Sequence, residues 1–195
     1  MSKMVSDLFS LHGKTALISG ASSGLGAYFA EVLADAGAEV ILAARRVERL
    51  EELASSIVDR GGNARALAMD VTDGDSVQAA FSALDDMVDR LDILINNAGI
   101  STQPQKFVEQ EESVWSGLLN VNLQGAWRVA RQAAIRMRAQ KQGCIINTGS
   151  IYSLCTGIMK ADYNVSKVAV AQLTRNMALE LGRHGVRVNT LCPGY

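Results

Sequence analysis

The feature that most constrains the fold is a strict alternation of two kinds of segment. Short apolar runs rich in β-branched residues, at 15–19, 39–44, 64–69, 92–96, 144–148 and 186–191, read as strands. Longer stretches at 25–36, 47–60, 73–90, about 111–140 and 163–183 carry apolar residues at helical spacing. Consecutive parallel strands cannot be joined by hairpins and need right-handed crossovers, so this alternation predicts a parallel sheet with helices on both faces, a doubly wound α/β fold in three layers. Gly37, Gly61, Gly143 and Gly185 stand where the helices should stop, supplying the left-handed cap that other residues resist. In such a sheet a ligand is expected beyond the C-terminal ends of the strands, beside the first strand.

Composition narrows the function. At about 150 residues per domain the 195-residue chain is expected to form one domain. Hydrophobic residues make up 48% and charged residues 20%, a globular composition. A formal charge of -1 gives no footprint for nucleic acid or an anionic membrane, which leaves a small molecule as the expected partner. Cys144, Cys155 and Cys192 lack the spacing of a disulfide framework or a zinc site and fit a reducing cytoplasm. His12 and His184 have no companions at ligand spacing, so no metal is expected. No export signal or membrane-spanning run is read from the chain.

The first strand runs into Ser19-Gly20-Ala21-Ser22-Ser23-Gly24-Leu25-Gly26 and then a helix. Glycine lets backbone approach a pyrophosphate, and the following helix offers free N–H groups and the positive end of its dipole. The second strand ends in Ala43-Ala44-Arg45-Arg46, where an NAD-binding unit would place a carboxylate on the adenosine ribose. A guanidinium at Arg45 suits a 2'-phosphate instead, and so suggests NADP(H), with NAD(H) as the alternative. Asp70, closing the third strand, either accepts a hydrogen bond from an adenine amino group or caps the next turn. Asn96-Asn97-Ala98-Gly99 closes the fourth strand with small residues and side chains able to tie loops together. Tyr163 and Lys167 share one helix face, and an ammonium beside a phenol stabilises the phenolate, making a general acid or base. Ser150, at the end of the fifth strand, can present a hydroxyl to the same site; Ser153 is a competitor for that role.

Taken together with Asn120-Val121-Asn122-Leu123, Tyr163-Asn164-Val165-Ser166-Lys167 and Pro193-Gly194, these motifs resemble the short-chain dehydrogenase/reductase family, in family order across essentially the whole chain. The resemblance implies a Rossmann-like NAD(P)-binding domain over 1–195. It implies that Tyr163 exchanges a proton with the substrate oxygen, Lys167 lowers the phenol's pKa and binds the nicotinamide ribose, Ser150 orients the substrate oxygen and Asn122 holds a relay water. The cofactor set it implies is Gly20, Ser22, Ser23, Gly24, Leu25, Gly26, Arg45, Asp70, Val71, Asn97, Ala98, Gly99, Tyr163, Lys167, Pro193 and Gly194. The family continues past the Pro-Gly turn into a substrate-covering loop, helices and a seventh strand, so the chain is expected to lack that strand and lid, leaving the sixth strand as an open edge.

The activity implied is interconversion of a carbonyl and a secondary alcohol. Reduction of a 3-oxoacyl thioester is slightly favoured over oxidation or reduction of sugar, polyol or steroid-like alcohols, and a non-catalytic dinucleotide sensor is the rival from another class. The resemblance also implies a homodimer through the two long helices, with a tetramer for a longer chain. Leu118, Val129, Ala133, Val170 and Met177 are candidates for its surface, although such spacing also suits core residues. Arg128, Arg131, Arg136 and Arg138 read as a solvated helix face, and Trp115 and Trp127 as packing residues.

Overall fold

The computed structural model describes residues 8–194. Its strands are β1 (Thr15–Ser19), β2 (Glu39–Ala44), β3 (Asn63–Ala68), β4 (Ile93–Asn96), β5 (Gly143–Thr148) and β6 (Val186–Leu191). They alternate with helices α1 (Gly24–Asp35), α2 (Val47–Asp59), α3 (Gly74–Met87), α4 (Glu112–Leu119), α5 (Ala126–Gln140) and α6 (Ala161–Leu181). All neighbours are parallel, in the order β3-β2-β1-β4-β5-β6, which makes this a Rossmann-like sheet whose order reverses between β1 and β4. The edges are β3 and β6.

Alternate side chains of β1 feed opposite layers. Leu17 joins Phe81 and Leu84 of α3 and Val129 and Met137 of α5, while Ala16 and Ile18 join Ala30 of α1 and Leu50 and Ile57 of α2. Each large aliphatic or aromatic side chain so enclosed contributes about 1.5–3 kcal/mol. This sandwich is why the strands read as continuous apolar runs rather than alternating ones.

Four local expectations change. The continuous helix expected at 111–140 is interrupted by a π-helical turn, Asn120–Gly125, between α4 and α5. There Asn122 turns its amide to the main chain of Ile100, and Gly125 passes so close to Val71 that a Cβ would lie 2.8 Å from Val71 Cγ2. Gly143 is not the cap of α5; Lys141 takes the left-handed conformation at φ 56°, and Gly143 opens β5, where a side chain would run into Met137. Leu118, Val129, Ala133 and Val170, candidates for a dimer surface, are buried in the fold, and Met177 is partly buried against the same core. The basic cluster also divides. Arg136 lies over the Phe81 ring and pairs with Asp85, and Arg128 donates to the Val71 carbonyl, whereas Arg131 and Arg138 are solvated.

A buried polar chain crosses the middle of the molecule. Ser19 Oγ donates to Asn96 Oδ1 at 3.2 Å, Asn96 Nδ2 to Asn147 Oδ1 at 2.9 Å, and Asn147 Nδ2 to Thr174 Oγ1 at 2.9 Å. It joins β1, β4 and β5 to α6. At the opposite end of the sheet, Asp92 is 5% exposed and accepts from Lys14 Nζ, the Thr15 amide and Arg90. Burial raises its pKa, but those three donors outweigh it and hold the carboxyl below its usual range.

Candidate active site

Two adjoining cavities open beyond the C-terminal ends of the strands, where the strand order reverses. The larger, of about 390 Å³, is lined by Gly20, Ser22, Ser23 and Leu25 from the glycine-rich turn, by Arg45 after β2, and by Asp70 and Val71 after β3. Asn97, Ala98 and Gly99 close it from the β4 side. The second, of about 340 Å³, is lined by Ser150, Tyr163, Lys167, Pro193 and Gly194, and shares Leu25, Asn97 and Gly99 with the first. Gly24, Gly26 and Asn122 line neither: Gly26 and Asn122 are buried behind the wall, and Gly24 is exposed at the start of α1.

The glycines allow a close backbone cradle. Gly20 sits at φ +69°, and a Cβ there would lie 2.8 Å from the Ala98 Cα; one at Gly26 would run into the Gly20 carbonyl. Ser19 Oγ accepts from the amides of Asn97 and Ala98, and Asn97 Nδ2 spans the carbonyls of Ser19 and Gly20, so the two loops are fixed together. Helix α1 then begins at Gly24 with no acidic residue in its first turn and no side-chain cap from Ser23. Its first N–H groups and positive dipole end are left for an anion.

After β2, Arg46 as well as Arg45 faces the cradle: its Nη2 donates to Ser22 Oγ at 2.8 Å and Ser23 Oγ at 2.9 Å. The sequence points to Arg45 and gives Arg46 no separate signal beyond the repeated Arg, because which of the pair turns inward depends on the path into α2. Arg45 lies 3.9 Å from Asp70 Oδ2, while Asp70 Oδ1 accepts from the Thr72 amide and hydroxyl. Asp70 therefore caps a turn with one oxygen and turns the other toward the arginine. Burial raises its pKa, but the two Thr72 bonds and Arg45 outweigh that, so it stays ionised below the usual range. Open helix N–H groups, two guanidinium groups and loops that only glycine at Gly20 and Gly26 lets pack so closely together fit a phosphorylated dinucleotide.

In the second cavity Lys167, 5% exposed, donates from Nζ to the Thr148 carbonyl at 2.8 Å and lies 5.6 Å from the Tyr163 ring centre. Burial lowers its pKa from 10.5 to about 8, partly offset by the electrostatic pull of Cys192. Ser150 caps a short 3-10 turn, Ile151–Ser153, accepting the Tyr152 amide at 3.2 Å. With that lone pair occupied, the Ser150 proton is directed away from the turn and available as a donor. Asn122 exchanges two hydrogen bonds with the Ile100 main chain, at 2.8 and 2.9 Å, and donates a third to Ser166 on α6. Both amide donors are thus committed, while Oδ1 keeps one acceptor position.

Comparison with known proteins agrees with this geometry. The family profile described as short chain dehydrogenase matches residues 14–195. A 3-oxoacyl-[acyl-carrier-protein] reductase of Vibrio cholerae is 36% identical over 185 residues, covering 95% of this chain and 74% of its own length. A gluconate 5-dehydrogenase of Gluconobacter oxydans is 39% identical over 189 residues, covering 97% of this chain and 73% of its own. The solved structure of a gluconate 5-dehydrogenase from Burkholderia cenocepacia, in complex with NADP and tartrate, superposes with a TM-score of 0.94 at 36% identity, covering 98% of this chain and 75% of that one. The chain belongs to the short-chain dehydrogenase/reductase family. It is an NAD(P)-dependent oxidoreductase of that class. No helix among the described residues is long and apolar enough to cross a membrane.

Proposed function

We propose that this chain is an NADP(H)-preferring enzyme that interconverts a ketone and a secondary alcohol, with 1–195 acting as one cofactor-binding unit. The observation that carries the preference is the end of β2, where Arg45 and Arg46 face the cradle and no carboxylate is offered to a ribose. The backbone of Gly20, the start of α1 and the Ser22 and Ser23 hydroxyls would hold the phosphates, with Asp70 and Val71 beside the adenine and Asn97 to Gly99 along the dinucleotide. Pro193 and Gly194 would bound the nicotinamide. When bound, NADP(H) supplies or accepts the hydride.

The chain's own residues handle the proton. Tyr163 gives its phenol proton to the substrate oxygen in reduction and takes it back in oxidation, and Lys167, charged below about pH 8, stabilises the phenolate left behind. Ser150 donates a hydrogen bond to the same oxygen as negative charge develops on it. Asn122 keeps the Ile100 loop against α6, fixing the rim between the two cavities.

For the substrate, similarity to the 3-oxoacyl reductase and the exposed apolar side chains of Ile100, Leu154 and Ile158 on the flanking segments favour a 3-oxoacyl thioester. A sugar acid is the second reading, favoured by similarity to the gluconate 5-dehydrogenases. A homodimer would use the exposed Trp127, Ile135, Val165 and Val168 of α5 and α6. Sedimentation showing a monomer would remove it.

Titration with NADPH and NADH, followed by nicotinamide fluorescence, tests the cofactor reading: tighter NADPH binding is expected, and equal affinity would overturn it. Arg46→Ala should weaken NADPH binding by about tenfold or more with NADH unchanged, from the loss of a charge-assisted contact. Oxidation of NADPH with acetoacetyl thioester against a keto sugar acid separates the two substrates, and a chain that binds NADPH but turns over neither favours a dinucleotide sensor.

A further inference from the structure

Ser153 entered the sequence reading as a rival to Ser150, yet both of its hydrogen-bonding roles are committed inside the fold. Its Oγ donates to the Lys167 carbonyl at 2.8 Å and accepts the Ser150 amide at 3.2 Å, and the residue is 8% exposed. The amides on either side of Ser150 are held differently. Gly149 donates to Leu191, the last residue of β6, and Ile151 to Pro193 just beyond it, whereas the Ser150 amide donates to a side chain, Ser153 Oγ on the following turn. The turn that Ser150 opens is a single 3-10 turn, a geometry with little stability of its own.

We propose that Ser153 is a positioning residue: its hydroxyl clamps the Ser150 main chain to the Lys167 carbonyl, so that the substrate-facing hydroxyl and the lysine move as one hydrogen-bonded unit. The clamp complements the Lys167 Nζ bond to Thr148, so lysine and β5 are tied through both the side chain and the main chain. Without the Ser153 hydroxyl the buried Ser150 amide loses its acceptor, and the segment must shift or admit water to satisfy it. The proposal rests on the reading that Ser150 contacts the substrate oxygen, where a displacement of about 1 Å is worth about a hundredfold in rate.

The test is a double-mutant cycle on NADPH-dependent ketone reduction, together with amide hydrogen exchange on the ligand-free chain. Ser153→Ala should lower kcat by about ten- to a hundredfold with the KM for NADPH unchanged, and accelerate exchange of the Ser150 amide more than tenfold while amides of α1 keep their protection. In the Ser150→Ala background the same change should add no further loss. Ser153→Thr, which keeps the hydroxyl, should restore slow exchange; an alanine variant that fails to fold beside an active threonine variant also supports the clamp. Unchanged exchange in Ser153→Ala, or losses that multiply in the double variant, would overturn the proposal. If Ser150→Ala alone leaves turnover intact, the reading of Ser150 fails, and the exchange data still decide the clamp.

Discussion

Lys167 ends against a main-chain carbonyl and not a carboxylate, so burial dominates and its pKa falls from 10.5 to about 8. Below that value the lysine is protonated in folded and unfolded chains alike, and the burial penalty is present in full. Between about 8 and 10.5 the unfolded chain binds more protons, so folding strengthens as pH rises. Wild type should therefore gain roughly 3 kcal/mol on Lys167→Met between about pH 7 and 11, read from urea unfolding of the two proteins side by side. The spacing of Tyr163 and Lys167 was legible in the sequence because one helix carries both. The direction of the lysine's shift was not, since it depends on Thr148, contributed by another element. The same limit explains Arg46, whose partners Ser22 and Ser23 lie on the far side of β2 in the chain.

At the scale of elements, the strands were legible nearly to the residue, because runs buried on both faces carry their own pattern. Breaks within helices were not. The apolar periodicity continues through Asn120–Gly125, while the contacts the π-helical turn makes, the Asn122 amide on Ile100 and Gly125 on Val71, reach across the fold. Glycines show the same division. Gly185 adopts φ +74° where its Cβ would strike the Lys141 carbonyl, and it caps the 3-10 turn Gly182–His184 that follows α6 instead of α6 itself, whereas Gly143 is small for the sake of Met137. Gly185→Ala should cost about 2 kcal/mol or more, since strain in the left-handed region adds to the main-chain clash. Gly143→Ala should also cost about 2 kcal/mol or more, because the clash reaches Met137 Cβ, which α5 holds in place in a fully buried position, and not only the thioether end that could yield. Thermal melts of both variants check the losses.

Across the whole molecule the two ends of the sheet separate chemistry from anchorage. Asp92, at the end away from both cavities, gathers Lys14, Arg90 and the Thr15 amide, and should serve stability alone. Asp92→Asn should lower stability by about 2 kcal/mol, because both cations keep some solvent while the charge-assisted bonds are lost. NADPH affinity should not change, which calorimetric titration would show. The Asp92 contribution is present above pH 3.8 and disappears as pH falls toward its depressed folded value, so the two proteins should converge in acid. The polar chain through the centre has a different consequence, which concerns how the sheet is assembled. Ser19, Asn96 and Asn147 are lateral partners on neighbouring strands. Parallel strands meet from distant parts of the chain with little local guidance on alignment. Slipping one of them by a single residue would turn its amide to the other face and strand buried donors at about 1–3 kcal/mol apiece. A misaligned sheet is thus penalised at its centre, and the three side chains act as a spelling check on strand register.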